Sequence, residues 1–261
     1  MPENQLDSVD PVEAVVNSYH PDVFKDKKVL VSGGSSGIGL AIAEGFARAG
    51  AAVLATGSSR EKIEAERNAG HPQNLQFEVM DIRDEDAISG VLSRFDDLDV
   101  LVNCQGVARP DQEWNEDTFL NVIDINLSSA MRLSRAAYPL LVGNRGTIIN
   151  IASMLSYLAD ESVPAYTASK SGIVGLTRAM AHRYGRDGVR VNAIAPGYHT
   201  TEMTKPLWSV PESEKKIADR SAMKRWGTVE DLIGPALFLA SPAAEFVTAA
   251  VLPVDGGYHV G

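Results

Sequence analysis

Residues 28–50 read KVLVSGGSSGIGLAIAEGFARAG, a strand pattern followed by glycines and then by a helix pattern. The apolar run 28–32 predicts a buried strand, and the spacing of Leu40, Phe46 and their apolar neighbours predicts a helix that ends at Gly50. Glycines let a backbone approach a pyrophosphate, which the free N–H groups of a helix N-terminus then bind. A glycine-rich turn without a ligand is the alternative, but the order of strand, turn and helix favours a dinucleotide site.

Six further apolar segments predict strands, and segments with helical spacing separate them. They lie at 52–56, 75–79, 98–103, 148–151, 189–194 and 247–254. This alternation predicts one α/β domain, a doubly wound (Rossmann-type) and mostly parallel seven-stranded sheet with helices on both faces. We expect the domain to span residues 26–261, with a substrate loop at about 197–226. Residues 1–25 are expected to form an N-terminal extension, whose short apolar group allows a surface helix.

The composition excludes several classes of protein. Of 261 residues, 24 are Lys or Arg and 34 are Asp or Glu, which gives a net charge of -10. This charge argues against nucleic acid or an anionic membrane as a partner, and no apolar run reaches the ~18 residues of a membrane span. With one cysteine, Cys104, and histidines that lack ligand spacing, neither a disulfide nor a metal site is expected. The N-terminus lacks a secretory pattern, so we expect a cytoplasmic protein with a small-molecule substrate.

The end of the second predicted strand bears on the choice of cofactor. An acidic residue there would hold the ribose 2′-hydroxyl of NAD, but this sequence has Ser58, Ser59 and Arg60. Two hydroxyls and a guanidinium suit a 2′-phosphate, so NADP(H) is favoured, with NAD(H) as the alternative. Arg60 is alternatively just the first residue of a helix at 60–68. Asp81, after the third strand, is expected either to accept a hydrogen bond from the adenine amino group or to cap the next helix.

Residues 148–177, IINIASMLSYLADESVPAYTASKSGIVGLT, contain the side chains that suggest catalysis. Tyr166 and Lys170 are four residues apart in a predicted helix and therefore share a face. A nearby cation lowers the pKa of a phenol by roughly one or more units, and Ser153, at a strand end, can hold a substrate oxygen. A chance YxxxK spacing is the alternative. Asn126, within an apolar helix, needs partners, and it is either simply hydrogen-bonded or anchors a water.

These motifs together resemble the short-chain dehydrogenase/reductase family over about residues 26–258. SGGSSGIG at 32–39 is similar to the family's TGxxxGIG, and NCQG at 103–106 lies where the family has NNAG. The family's catalytic four fall on Asn126, Ser153, Tyr166 and Lys170. Its PGxxxT-like nicotinamide contact falls on Pro196, Gly197 and Thr201.

Two departures from the family pattern are visible. Cys104 and Gln105 replace the usual residues beside the cofactor, and His199 replaces a usual aliphatic residue near the nicotinamide. His199 is expected to be either a substrate contact or a solvent-exposed side chain. Segments such as VPAYTASKSG, VNAIAPGY and the closing VDGG resemble a finer branch, that of 2-dehydro-3-deoxy-D-gluconate 5-dehydrogenase and gluconate 5-dehydrogenase.

The resemblance implies hydride transfer between NADP(H) and a carbonyl, with Tyr166 as proton donor, Lys170 lowering its pKa, Ser153 on the carbonyl oxygen and Asn126 on a water. Together with the residues argued above from the strand ends, the predicted cofactor-binding residues are Gly33, Ser35, Ser36, Gly37, Ile38, Gly39, Ser58, Ser59, Arg60, Asp81, Ile82, Asn103, Gly106, Tyr166, Lys170, Pro196, Gly197, His199 and Thr201. Candidate substrate contacts are Arg109, Ser153 and Tyr198. Arg109 would bind the substrate carboxylate or is alternatively an exposed loop arginine. The resemblance also implies a homotetramer. The alternatives are the same chemistry on an acyl-thioester ketone, a steroid or a xenobiotic alcohol, or a nucleotide-binding regulator without turnover.

Overall fold

The computed structural model describes residue 19 and residues 23–261. Seven strands form one sheet: β1 (Lys28–Ser32), β2 (Ala52–Gly57), β3 (Leu75–Val79), β4 (Val100–Asn103), β5 (Thr147–Ile151), β6 (Arg190–Pro196) and β7 (Val251–Val254). Their order is β3-β2-β1-β4-β5-β6-β7, and every neighbouring pair is parallel. The predicted doubly wound sheet is confirmed, and it is wholly parallel.

Helices connect the strands. They are α1 (Gly37–Arg48), α2 (Arg60–Asn68), α3 (Glu85–Leu92), α4 (Glu116–Ile123), α5 (Ser129–Val142), α6 (Pro164–Tyr184), α7 (Lys205–Trp208), α8 (Pro211–Arg220) and α9 (Ile233–Ala240). The predicted substrate loop contains α7 and α8, which pack against each other. No helix of the described chain is long and apolar enough to cross a lipid bilayer.

The side chains of β1 show how one strand serves two cores. Val29 and Val31 pack in the cluster on one side of the sheet, which includes Phe46 of α1. Leu30, between them, packs in the cluster on the other side, which includes Leu133 of α5. These three residues of β1 are fully buried, as a strand covered by helices on both faces requires. An uninterrupted apolar run therefore predicted this strand correctly.

The helix predicted at 118–141 is interrupted between α4 and α5. Residues Asp124–Ser128 form a π-helical turn, in which the Ser129 N–H donates to the Asp124 carbonyl. Such turns insert one extra residue into a helix and occur often at functional sites. Asn126 lies within this turn and is 1% exposed.

The last strand is shorter than the predicted segment 247–254. Ala249 has a φ of 61°, a left-handed conformation that interrupts an extended strand. The carbonyl of Val247 instead accepts a hydrogen bond from the Asn192 side chain at 2.8 Å. Regular pairing with β6 therefore begins only at Val251.

Two residues of the expected N-terminal extension contact the domain. Phe24 is buried, and its ring meets Phe46 edge to face at a centroid distance of 5.2 Å. The Tyr19 hydroxyl donates to the Gly234 carbonyl at 2.7 Å. The surface helix considered for this extension lies outside the described residues.

Candidate active site

A cleft of about 380 Å³ opens at the carboxyl ends of β1 to β5. In a doubly wound sheet, ligands bind at this edge, where the strand order reverses, here between β1 and β4. Of the predicted cofactor residues, the following line it: Gly33, Ser35, Ser36, Gly37, Ile38, Gly39, Ser58, Ser59, Asp81, Ile82, Gly106, Tyr166, Lys170 and Thr201.

The glycine-rich turn between β1 and α1 forms one wall of the cleft. Gly33 has a φ of +75°, and a Cβ there would lie 2.6 Å from the Gln105 backbone nitrogen. A Cβ on Gly39 would lie 2.1 Å from the Gly33 carbonyl oxygen. Because both distances are far below van der Waals contact, this turn requires glycine at the two positions.

The N-terminus of α1 fits a pyrophosphate. Ser36 is the N-cap residue, yet in this part of the described chain no side chain caps the helix. The first-turn N–H groups therefore lack a side-chain acceptor and carry the positive end of the helix dipole. Phosphate oxygens are the acceptors that such a helix end binds.

The cations that line the cleft near the end of β2 were missed by sequence reasoning. Lys62 and Arg83 both line the same cleft as Ser58, whereas Arg60 is outside the lining; all three cationic side chains are exposed. Residues two apart in a helix point to nearly opposite sides, so Arg60 and Lys62 cannot both face the strand ends. The Ser59 hydroxyl caps α2 by accepting from the Lys62 N–H at 3.3 Å.

Asp81 is paired with Arg83 at the mouth of the cleft. Its carboxylate accepts from Arg83 Nη2 at 2.6 Å and from Nε at 3.0 Å. The hydrogen bonds from Arg83 lower the pKa of Asp81. The capping alternative does not apply to Asp81, because Asp84 caps α3 by accepting from the Asp86 N–H at 2.9 Å.

Tyr166 and Lys170 line the inner end of the cleft, and Ser153 is hydrogen-bonded to Tyr166 from outside the lining. Ser153 follows β5, and its Oγ accepts from the Leu155 N–H at 3.1 Å. Tyr166 and Lys170 lie on α6, and the Lys170 Nζ is 5.5 Å from the centroid of the Tyr166 ring. Lys170 is 4% exposed, and its Nζ donates to the Ile151 carbonyl at 2.7 Å.

Burial controls the proton affinities of this group. It raises the pKa of Tyr166 to about 12, opposed by a hydrogen bond with Ser153. It lowers the pKa of Lys170 to about 8. The expected lowering of the Tyr166 pKa by Lys170 is not seen in this structure, because desolvation raises that pKa and the Lys170 ammonium donates to a backbone carbonyl instead.

The Asn126 side chain is hydrogen-bonded within the protein. Its Oδ1 accepts from the Val107 N–H at 2.8 Å, and its Nδ2 donates to the Val107 carbonyl at 2.9 Å and to Ser169 Oγ at 3.1 Å. Both Nδ2 protons are thus engaged, so a water could hydrogen-bond to the Asn126 side chain only by donating to Oδ1. Asn126 ties the turn after β4 to the helix that carries Tyr166.

Two serines that the sequence did not single out support the catalytic side chains. The Ser156 hydroxyl donates to the Lys170 carbonyl at 2.7 Å and accepts from the Ser153 N–H at 3.3 Å. The Ser169 hydroxyl donates to the Tyr166 carbonyl at 2.7 Å. Their role depends on contacts between β5 and α6, for which the linear sequence carries no distinctive signal.

Several predicted cofactor residues lie outside the cleft lining. Asn103 is buried, and its Nδ2 donates to Ser134 Oγ at 2.9 Å and to Asn150 Oδ1 at 2.8 Å. Pro196 and Gly197 end β6, and the Gly197 N–H donates to the Val254 carbonyl at 3.0 Å.

His199 is also outside the lining. It is 3% exposed, and its Nδ1 lies 3.1 Å from the Gly197 carbonyl. A Cβ on Gly227 would lie 2.5 Å from the His199 ring, so the ring packs directly on that glycine. His199 thereby joins the two ends of the predicted substrate loop, and burial lowers its pKa.

All three substrate candidates, Arg109, Ser153 and Tyr198, lie beside the cleft rather than in its lining. Arg109 is exposed, and its Nη1 donates to the Ala108 carbonyl at 3.2 Å. Tyr198 is half-buried and packs with Tyr166 and Tyr258 in a small apolar cluster around Met154.

Cys104 and Gln105 line the cleft next to the glycine-rich turn. Burial raises the pKa of the Cys104 thiol to about 12, so it is inert as a nucleophile near neutral pH. The Gln105 Nε2 donates to Ser129 Oγ at 2.9 Å, and Ser129 in turn donates to the Ile125 carbonyl at 2.6 Å. Gln105 therefore fastens the turn after β4 to the start of α5.

Known proteins resemble this chain over nearly its whole length. A family model described as Enoyl-(Acyl carrier protein) reductase matches residues 33–259. Gluconate 5-dehydrogenase of Gluconobacter oxydans is 37% identical, over 92% of this chain and 98% of that protein. The 2-dehydro-3-deoxy-D-gluconate 5-dehydrogenase of Escherichia coli is 37% identical, over 90% and 96%. The crystal structure of a gluconate 5-dehydrogenase from Burkholderia cenocepacia in complex with NADP and tartrate superimposes with a TM-score of 0.83, at 32% identity, over 93% and 100%.

Proposed function

The chain belongs to the short-chain dehydrogenase/reductase family and is an oxidoreductase acting on CH–OH groups, and we propose that it interconverts a secondary alcohol and a ketone on a sugar acid with NADP(H). The observation that carries this proposal is the grouping of Ser153 and Lys170 around Tyr166, at a cleft that Tyr166 and Lys170 line and that also fits a dinucleotide.

Each catalytic side chain has a role that follows from its position. NADP(H), when bound, supplies or accepts the hydride. Tyr166 gives its proton to the substrate oxygen during reduction, and its raised pKa keeps the phenol protonated until then. Ser153 donates a hydrogen bond to the same oxygen as charge develops there, which stabilises the transition state. Such acid–base help contributes on the order of 10²–10⁴-fold.

The effect of Lys170 on Tyr166 depends on its charge and on which atom its ammonium faces. Its pKa of about 8 leaves it mostly protonated at neutral pH. In oxidation, Tyr166 must first lose its proton, and an ammonium directed at the phenol rather than at Ile151 favours that loss. Asn126 supports this group by holding the backbone of Val107 beside it.

The cofactor preference is supported by the charges around the end of β2. Lys62 lines the cleft together with Ser58, so a 2′-phosphate there would find an ammonium and a hydroxyl. Among the described residues that line this end of the cleft, Asp81 is the one carboxylate, and Arg83 neutralises it. The Burkholderia cenocepacia structure contains NADP, which supports the same choice.

The sugar-acid substrate is supported by the relatives and by one exposed cation. Arg109 lies on the turn after β4, beside the cluster that includes Tyr166 and Tyr198, and a guanidinium binds a carboxylate with two parallel hydrogen bonds. The tartrate in the Burkholderia cenocepacia structure is itself a hydroxylated carboxylate. A net charge of -10 disfavours acidic acyl carriers as partners.

Assembly and location complete the proposal. Leu120 on α4 and Met131 on α5 are 56% and 41% exposed, and β7 is an edge strand. Apolar helix surfaces and an unpaired strand edge are features that a second copy covers, which supports a homotetramer. A cytoplasmic location is part of the same proposal.

Turnover of a matched substrate pair tests the proposed function. Purified enzyme should reduce NADP+ with gluconate and oxidise NADPH with the corresponding keto acid. A neutral polyol of the same chain length is the control and should react at least about tenfold more slowly, because it lacks the carboxylate that Arg109 binds. Turnover confined to acyl-thioester ketones or steroids would overturn the substrate class, and cofactor binding without any turnover would favour a regulator.

A further inference from the structure

Glu113 is a fully buried carboxylate on the loop between β4 and α4. Among the described residues it takes part in no ion pair at 4.0 Å or less. Its Oε1 accepts from the Arg109 N–H at 2.8 Å, and its Oε2 accepts from the Tyr166 N–H at 2.8 Å. An isolated buried carboxylate costs several kcal/mol in lost hydration unless its oxygens are well bonded.

The helix that carries Tyr166 explains where this carboxylate finds its stabilisation. α6 begins at Pro164, which has no N–H, and its N-cap residue Val163 provides no side-chain cap. The Tyr166 N–H is one of the first-turn donors that such a helix leaves unsatisfied. Glu113 accepts this proton from outside the helix and also lies at the positive end of the helix dipole.

Two further hydrogen bonds join the same segments. The Asp111 N–H donates to the Ser162 carbonyl at 2.9 Å, and Trp114 Nε1 donates to the Glu161 carbonyl at 2.9 Å. Residues 109–114 are therefore fastened to residues 161–166 along their length. Arg109 lies at one end of this connection and Tyr166 at the other.

We propose that Glu113 is a positioning residue that holds Arg109 and Tyr166 in one rigid unit, so that the carboxylate of a sugar acid and its reacting oxygen are aligned together. This inference rests on the proposed function. It explains why a costly buried charge is retained at a place where an N-cap serine or asparagine would satisfy the helix alone.

The charge of Glu113 also acts on Tyr166 at a distance. It raises the pKa of Tyr166, as does Cys104, while Ser153 lowers it. The other titratable groups that face the phenol are Lys170 on the same helix and Tyr198 after β6. Removal of the Glu113 charge should therefore lower the pKa of Tyr166, so that the rate of alcohol oxidation rises at lower pH than in the wild type.

The test compares Glu113→Gln with Glu116→Gln, which removes an exposed carboxylate in the first turn of α4. For Glu113→Gln, we expect a fall in kcat of about ten- to 100-fold through misalignment, a higher KM for the sugar acid, unchanged NADPH affinity and a lower pH midpoint for oxidation. The control should change none of these. A Glu113→Gln enzyme with reduced thermal stability but unchanged kcat, KM and pH midpoint would overturn the proposal.

Two additional measurements keep the test decisive. Amide hydrogen exchange in the peptide around residues 161–167 should become at least about tenfold faster in Glu113→Gln and not in Glu116→Gln, and unchanged exchange would refute the link to α6. This readout needs no turnover, so it separates a failure of this inference from a failure of the proposed function. If Glu113→Gln does not fold, Glu113→Asp takes its place, because aspartate keeps the charge but is one methylene shorter. We then expect kcat to fall and the pH midpoint for oxidation to stay near that of the wild type. An unchanged kcat would refute the proposal.

Discussion

Replacing Lys170 by Met should stabilise the fold relative to the wild type more at neutral pH than at high pH. Burial lowers the pKa of Lys170 from 10.5 to about 8. The difference of about 2.5 units corresponds to about 3 kcal/mol of unfavourable free energy in the charged folded state, at 1.36 kcal/mol per unit. The side chain is 4% exposed, so solvent screens little of this penalty.

The sign of the pH dependence follows from proton binding. Between pH of about 8 and 10.5, the unfolded chain binds more protons at Lys170 than the folded chain, so wild-type stability rises with pH. The penalty is complete below about pH 8 and nearly absent above pH 10.5. The Lys170→Met variant has no such penalty at any pH, because a thioether does not titrate. The lost hydrogen bond to Ile151 affects the variant equally at both pH values and cancels in the comparison.

The assay is urea denaturation of the unliganded enzyme at pH 7 and pH 10.5 and at one protein concentration. The free energy of unfolding of Lys170→Met minus that of the wild type should be larger at pH 7 by about 3 kcal/mol. Lys216→Met, at an exposed position on α8, is the control and should give the same difference at both pH values, because an exposed ammonium keeps its hydration on folding. A Lys170→Met difference that is equal at the two pH values, or larger at pH 10.5, would refute the reasoning.

Three further predictions follow from the site. Lys62→Ala should weaken NADPH binding by about tenfold, about 1.4 kcal/mol, and leave NADH binding unchanged, whereas Arg60→Ala should leave both affinities unchanged. Fluorescence titration measures all four affinities. A loss of NADPH affinity in Arg60→Ala and not in Lys62→Ala would assign the 2′-phosphate to Arg60. In steady-state kinetics, Arg109→Ala should raise KM for a sugar acid by about tenfold or more and have little effect on KM for a neutral ketone. An equal rise in both KM values would show that Arg109 does not bind the carboxylate. Gly227→Ala should lower the free energy of unfolding by about 1–3 kcal/mol through overpacking, because the new Cβ would lie 2.5 Å from the His199 ring. In a double-mutant cycle, adding His199→Ala should restore part of that free energy. If the losses of the two single variants simply add, the contact between Gly227 and His199 is contradicted.

Local patterns in the sequence predicted most of the fold. Apolar runs such as 28–32 are read directly as buried strands, because a strand covered on both faces has no polar side to obscure its pattern. The glycines of the turn after β1 also predicted that turn correctly, since the backbone around Gly33 and Gly39 leaves no space for a side chain. The π-helical turn at Asn126 and the late start of β7 were not predictable, because each depends on contacts with distant segments.

The candidate site was predictable in its chemistry but not in its energetics. The four-residue spacing of Tyr166 and Lys170 indicated a shared helix face, but the direction of their pKa values depends on burial, which only the folded chain reveals. Lys62 was missed in favour of Arg60 because the orientation of α2 relative to β2 decides which residue faces the cleft. Glu113 carries no local signal at all, since its partners at 109 and 166 meet only in the folded chain.

In the proposed mechanism, Tyr166 donates the proton in an NADPH-dependent reduction. The most direct test is Tyr166→Phe, assayed for turnover with a keto sugar acid and separately for NADPH binding. We expect kcat to fall by about 10²-fold or more, with NADPH affinity within about twofold of the wild type because the aromatic ring is retained and only its hydroxyl is lost. A variant that keeps more than about a tenth of the wild-type rate would contradict the assignment of Tyr166 and with it the proposed mechanism.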